Sequence, residues 1–133
     1  MSRAGEVGAG RSPGDHRRAL GQSGEDAARQ HLESHGYFIL QVNFRSRYGE
    51  IDIIARRGNI IAFIEVKTRR NRKYGEPFEA VGLRKQNQIR RMAMMWIAAH
   101  QGDRGLRECD FRFDVISIME GREEITHIEN AFC

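Results

Sequence analysis

An α/β domain with a mixed central sheet is what this sequence predicts, on three observations. Segments with helical and strand periodicity follow one another in the order α-β-β-β-α-β-β. A Gly58-Asn59 step between two strand-like runs can close a tight antiparallel hairpin. A long helical stretch then precedes Asp110, supplying the crossover that returns the next strand parallel to an earlier one. The chain has 133 residues, 40% hydrophobic and 30% charged. That suits one domain whose core needs neither metal nor disulfide.

The elements follow in order. Residues 1–21 are rich in glycine and nearly devoid of large apolar side chains, so a disordered tail is expected, with one domain over 22–133. Ser23-Gly24-Glu25-Asp26 matches a capping box and Gly36 a helix C-terminus, so a helix should run between them, with Ala28 and Leu32 inward. Glu25 falls on that same stripe; a carboxylate in the first turn also suits the helix dipole without further role. Strands are expected at Tyr37–Phe44, Ile51–Ala55 and Ile60–Val66. A polar loop over 68–80 precedes a helix from Leu83 to His100, whose Met92, Ala93, Trp96 and Ile97 read as core. Asp110–Ile118 alternates as a strand, and a short last strand lies around Glu124–Ile128.

No apolar run approaches the ~18 residues of a membrane span, and the N-terminus lacks a secretory h-region. Cys109 and Cys133 form no CxxC pair, so a cytoplasmic protein is expected. There are 22 Lys plus Arg against 18 Asp plus Glu, a formal charge of +4. The charge is uneven: residues 67–73 read KTRRNRK, and Arg84, Lys85, Arg90 and Arg91 follow. Clustered cations point to a polyanion, because neutralised phosphates release counterions. Arg69, Arg70, Arg72 and Lys73 are therefore the expected nucleic-acid contacts; the other reading is a solvated basic face.

A two-residue turn at Gly58-Asn59 places Asp52 opposite Glu65, with β-carbons ~5 Å apart, and Lys67 on the face of Glu65. Two carboxylates at that distance repel by ~3 kcal/mol at an effective dielectric of about 20. Lys67 alone gives a structural cluster. A divalent cation offsets more, and buried ion clusters barely repay their desolvation, so a metal site is the stronger reading. Phosphodiester hydrolysis needs such a metal, a cation such as Lys67 to orient or deprotonate water, and a basic surface. All three meet here.

The segment GEIDIIARRGNIIAFIEVKTR (Gly49–Arg69) resembles the YraN-like family, a group of predicted endonucleases in the PD-(D/E)XK restriction-endonuclease-like superfamily. The resemblance extends from Gly24-Glu25-Asp26-Ala27-Ala28 through Lys85 and the Ala93–Ile97 helix to Asn130-Ala131-Phe132. It implies a restriction-endonuclease-like α-β-β-β-α-β core with a mixed sheet flanked by helices. It further implies Glu25, Asp52 and Glu65 as ligands of Mg²⁺ or Mn²⁺, and Asp52, Glu65 and Lys67 as the catalytic set. Lys85 resembles the family's second-helix lysine, a phosphate contact. Archaeal Holliday-junction resolvases are similar in the order of these residues, which implies branched or damaged DNA as substrate and a homodimer. The literal PD dipeptide is absent, since Ile51 precedes Asp52. A nuclease fold that binds DNA without cutting, or binds RNA through the same residues, stays open.

Other groupings carry less. His31 and His35 stand at i, i+4, but HLESH is not HExxH and no third ligand is evident. Glu50 is expected to face the other side of its strand from the site and to partner an arginine. The facing of Asp114 is left open. Ser23 and Ser117 lack a His–Asp arrangement, so covalent hydrolysis has no support.

Overall fold

A computed structural model describes residues 15–69, 81–120 and 124–133, with side chains from Gly24 onward. Its elements are α1 (Asp15–Ser34), β1 (Phe38–Ser46), β2 (Gly49–Arg57), β3 (Ile60–Arg69), α2 (Leu83–Ala99), a 3₁₀ turn (Arg104–Leu106), β4 (Asp110–Met119) and β5 (Glu124–Phe132). The five strands form one sheet in sequence order, antiparallel except for the parallel β3–β4 pair. This is the mixed-sheet α/β fold expected, consistent with a restriction-endonuclease-like core. α2 is the crossover that the parallel pair requires.

Each helix covers one face. α2 packs Ile89, Met92, Ala93 and Trp96 with Ile54, Ile61 and Phe63. α1 packs Ala28 and Leu32 with Ile53, Ala55, Ala62, Ile64 and Ile116. Alternate residues of β2 and β3 thus enter opposite cores, which is why these strands read as almost continuous apolar runs. Each such Ile, Leu or Phe contributes about 1.5–3 kcal/mol by leaving water. Trp96 satisfies its indole N–H on Gln41 Oε1 at 2.9 Å.

Three local features differ from the sequence reading. α1 begins at Asp15 rather than Ser23, because good helix formers carry the helix through the capping-box signal. Residues 15–21 of the expected tail are therefore helical, while 1–14 lie outside the described residues. β5 runs on to Phe132, across a register shift at Asp114 where Asn130 adopts φ 54°. The third difference shapes the site. Strict alternation breaks between Asn43 and Asp52: Val42 and Ile53 pack on the α1 side, whereas Phe44 and Ile51 pack on the α2 side. Asn43 stands at φ 53° between the paired positions Val42↔Ile53 and Phe44↔Ile51. Left-handed backbone, which Asn tolerates better than most residues, lets both strands turn over there.

Candidate active site

The Gly58-Asn59 turn sets the expected register, and the β2–β3 ladder runs from Arg57↔Ile60 to Ile53↔Ile64. It ends one step before Asp52 and Glu65. Asp52 occupies the resulting fork, its Oδ2 accepting the Val66 N–H at 2.7 Å. Its position gives it neighbours from both faces of the sheet. The Asp52 charge acts directly on the Glu65 carboxyl, so the two acids expected to face each other are neighbours.

On the α2 side, β3 presents Glu65 and Lys67, with Lys67 Nζ 3.6 Å from Glu65 Oε2. Lys85, in the first turn of α2, brings its Nζ to 3.9 Å from the same oxygen. Glu65 is only 5% exposed. Burial first, and the Asp52 charge second, push its carboxyl from 4.5 up to about 7, against the pull of Lys85 and Lys67. Burial likewise raises Asp52, with the Glu50 charge adding to it, while the Val66 N–H and Lys85 oppose.

On the α1 side stand Glu25 and Glu50. Burial raises the Glu25 carboxyl, and Asp52 adds to the effect. Glu25 reaches the fork because its neighbour is Gly24: a Cβ at position 24 would lie 2.4 Å from Thr68 Oγ1. Glu50 does not face away as expected; residues two apart on a strand share a face, and the Asn43–Asp52 break turns it towards Glu25. Its expected arginine partner exists, Arg45, with Nε 3.0 Å from Glu50 Oε2. Asn43 was not singled out from sequence. With its amide nitrogen as donor it stands 3.2 Å from both Glu25 and Glu50. Its signal is an Asn inside an apolar-aromatic strand, opposite a carboxylate.

Glu25, Glu50 and Asp52 each offer an oxygen within 4.8 Å of the others. Glu65 adjoins this trio through Asp52 and is bound on its far side by the two lysines. An all-oxygen donor set with unfavourable mutual repulsion fits a hard divalent cation such as Mg²⁺ or Mn²⁺. Between the β1–β2 hairpin and α2, an open polar pocket of about 340 Å³ adjoins the trio, lined by Arg45, Arg47, Glu50, Lys85 and Gln88 among others. Of the other expected contacts, Arg69 ends β3 with Nη1 buried and without a hydrogen-bond partner among the described residues. Arg70, Arg72 and Lys73 lie outside the described residues.

Asp114, left open from sequence, belongs to a different network. Fully buried, it accepts from Arg112 Nε and Nη2 at 2.9 Å, His127 Nε2 at 2.8 Å and the Asn130 N–H at 2.9 Å. Burial alone would raise it, but these bonds hold its carboxyl below the usual range. His31 and His35 lie with ring centroids 4.3 Å apart, and His127 stands 5.4 Å from His31. Among the described residues no helix is long and apolar enough to cross a membrane.

Comparison with known proteins agrees on one family. The sequence profile described as "Uncharacterised protein family UPF0102" matches residues 24–118. A UPF0102 protein of Alkaliphilus metalliredigens is 48% identical over 116 residues, 86% of this chain and 98% of that protein. One of Geobacter metallireducens is 50% identical over 119 residues, 88% of this chain and 94% of its own. Among solved structures, Pyrococcus furiosus SfsA in complex with Ca²⁺ is similar over 85% of this chain and 63% of its own, at 16% identity and a TM-score of 0.34, too loose a likeness to carry an argument. With the match spanning both helices' site residues and the whole β2–β3 hairpin, the chain belongs to the UPF0102 family.

Proposed function

We propose that this protein is a metal-dependent DNA endonuclease of the PD-(D/E)XK type, hydrolysing phosphodiester bonds of branched or damaged DNA in the cytoplasm. One observation carries the reading: the carboxylates of Glu25, Glu50 and Asp52 converge at a strand fork, with Glu65 beside Asp52 and Lys67 and Lys85 against Glu65. Glu25, Asp52 and Glu65, joined by Glu50, would hold Mg²⁺ or Mn²⁺, and the ion would supply Lewis-acid stabilisation of phosphate charge and a more acidic water. The protein's own groups do the rest. Asp52 is held in place by the Val66 N–H. Lys67 sets its ammonium beside Glu65, suited to orienting the attacking water or, once it has lost a proton, to taking one from it. Lys85, entering from the opposite wall, meets the phosphate and its developing charge. Arg69 closes β3 beside the site, and Arg70, Arg72 and Lys73 follow it in the sequence as further phosphate contacts.

Calorimetry of Mn²⁺ binding, followed by cleavage of linear, flapped and four-way DNAs, tests this. Wild type should bind Mn²⁺ and cleave, and Asp52→Asn should weaken the binding at least tenfold. Asp52→Ala, Glu65→Ala and Lys67→Ala should each abolish cleavage while remaining folded. Cleavage that survives all three changes would reject the assignment. DNA binding that persists in EDTA, with no structure cut, would instead favour a non-catalytic binding module. Competition with structured RNA separates the RNA reading, and light scattering tests the homodimer.

A further inference from the structure

The β1–β2 hairpin and α2 gather positive charge at a spot where no acid among the described residues meets it. The Arg91 guanidinium lies over the Tyr48 ring, 3.8 Å from its centroid. Arg47 lies over the same ring at 5.0 Å and donates from Nη2 to its hydroxyl at 2.9 Å. Among the described residues, no carboxylate pairs with either arginine. The neighbouring cations differ: Arg45 is taken by Glu50, and Lys67 and Lys85 by Glu65.

Two like charges on one neutral ring need a reason, because ring contacts do not cancel their repulsion. The scaffold that holds them is built tightly. Gly49 has φ 151°, and a Cβ there would lie 2.4 Å from Gln88 Cγ, so the hairpin presses onto α2 as only glycine allows. Ser46 Oγ accepts the Tyr48 N–H at 2.9 Å and tightens the turn. The adjoining 340 Å³ pocket shares Arg47 with this platform, Glu50 with the acid cluster and Lys85 with the lysine pair. An anion bound here would therefore sit next to whatever occupies the carboxylate fork. Guanidinium forks match phosphate oxygens in pairs, which the carboxylates among the described residues do not offer these two arginines.

We propose that the Arg47–Tyr48–Arg91 platform is a second phosphate site, holding the nucleic-acid backbone phosphate adjacent to the one at the acid cluster. The inference rests on the nuclease reading and deepens it: the strand crosses the β1–β2 hairpin, in addition to the basic segment after β3. Tyr48 sets the spacing of the two guanidinia, and Gly49 fixes the platform against α2.

The test is the salt dependence of binding to a short fluorescent DNA duplex, measured by anisotropy in EDTA so that cleavage plays no part. Wild type, Arg47→Gln, Arg91→Gln and the double variant are compared, with Arg107→Gln as a distant control and circular dichroism as a check on folding. Each phosphate neutralised on duplex DNA contributes a log–log slope of ~0.9. If both arginines serve one phosphate, each single change lowers the slope by up to ~0.9, and the double change lowers it no further. An unchanged slope in the double variant overturns the proposal, as does an additive loss of ~1.8, which means two separate phosphates. Should the Gln variants unfold, Arg47→Lys with Arg91→Lys keeps the charge and loses the forks; the slope should hold while affinity falls several-fold, and unaltered affinity overturns the site. A wild type that binds no DNA at any salt concentration would instead remove the nucleic-acid reading itself.

Discussion

Glu65 concentrates the electrostatics of the site in one side chain. It is nearly sealed from water, and its carboxyl is raised from 4.5 to about 7 by burial and by Asp52. A raised carboxyl favours the fold when protonated. Its stabilising contribution is therefore complete below 4.5 and is lost as pH rises through about 7. The whole swing is about 3 kcal/mol. Asp52 and Glu25 are raised too and act in the same direction. Asp114, held low, acts in the opposite sense, but only at acid pH: its stabilisation is lost as pH falls through its depressed value. Urea unfolding in EDTA between pH 4.5 and 8 should thus show Glu65→Gln gaining on wild type by about 3 kcal/mol as pH rises. Parallel curves would mean that Glu65 is not the strained acid. The placement of Asp52 beside Glu65, with Lys67 on the same face, was legible in the sequence because a hairpin register follows from its turn residues. Asn43 was not, because its left-handed backbone undoes the alternation on which side-chain direction depends; Glu50, two residues from Asp52, follows from alternation alone.

At the scale of elements, the decisive contact is α1 against the end of β3. Gly24 is what permits it, and in another setting an interior helix glycine would simply cost about 1 kcal/mol against alanine. Here the sign reverses: a methyl at 24 meets Thr68 Oγ1, so either Thr68 rotates away or α1 shifts and carries Glu25 from Asp52. Gly24→Ala should destabilise the fold by about 1–3 kcal/mol and weaken Mn²⁺ binding. Adding Thr68→Ala should restore much of both, as read by calorimetry and thermal unfolding. Failure of the second change to rescue would show that α1 does not position Glu25 through this contact. The order of elements and the parallel β3–β4 pair were readable from periodicity and from the length of the crossover. The true start of α1 was not, since local capping signals compete with helix propensity and the longer helix won.

At the scale of the molecule, the sheet separates two cores and opens at one end, where β2 parts from β3. Oxygens of Glu25, Glu50 and Asp52 converge there within 4.8 Å of one another. A divalent ion that binds the folded state alone stabilises it by mass action, about 2.7 kcal/mol at a hundredfold excess over Kd. For a chain of this size that should raise Tm by about 5–10 °C in saturating Mn²⁺, and EDTA should reverse it. The shift should vanish in Asp52→Asn; a shift that persists would place the ion elsewhere. The sequence by itself determined the mixed sheet, the hairpin register, the pairing of Asp52 with Glu65, and the basic character of the segment after β3. These are properties of neighbours along the chain, or of periods fixed by backbone geometry. Only the tertiary structure decided that Lys85 reaches Glu65 from α2, that Glu50 joins Glu25, and that Arg91 meets Arg47 on Tyr48. Those contacts join residues distant in sequence, and their directions depend on how two faces twist around one break in alternation, which no local pattern encodes.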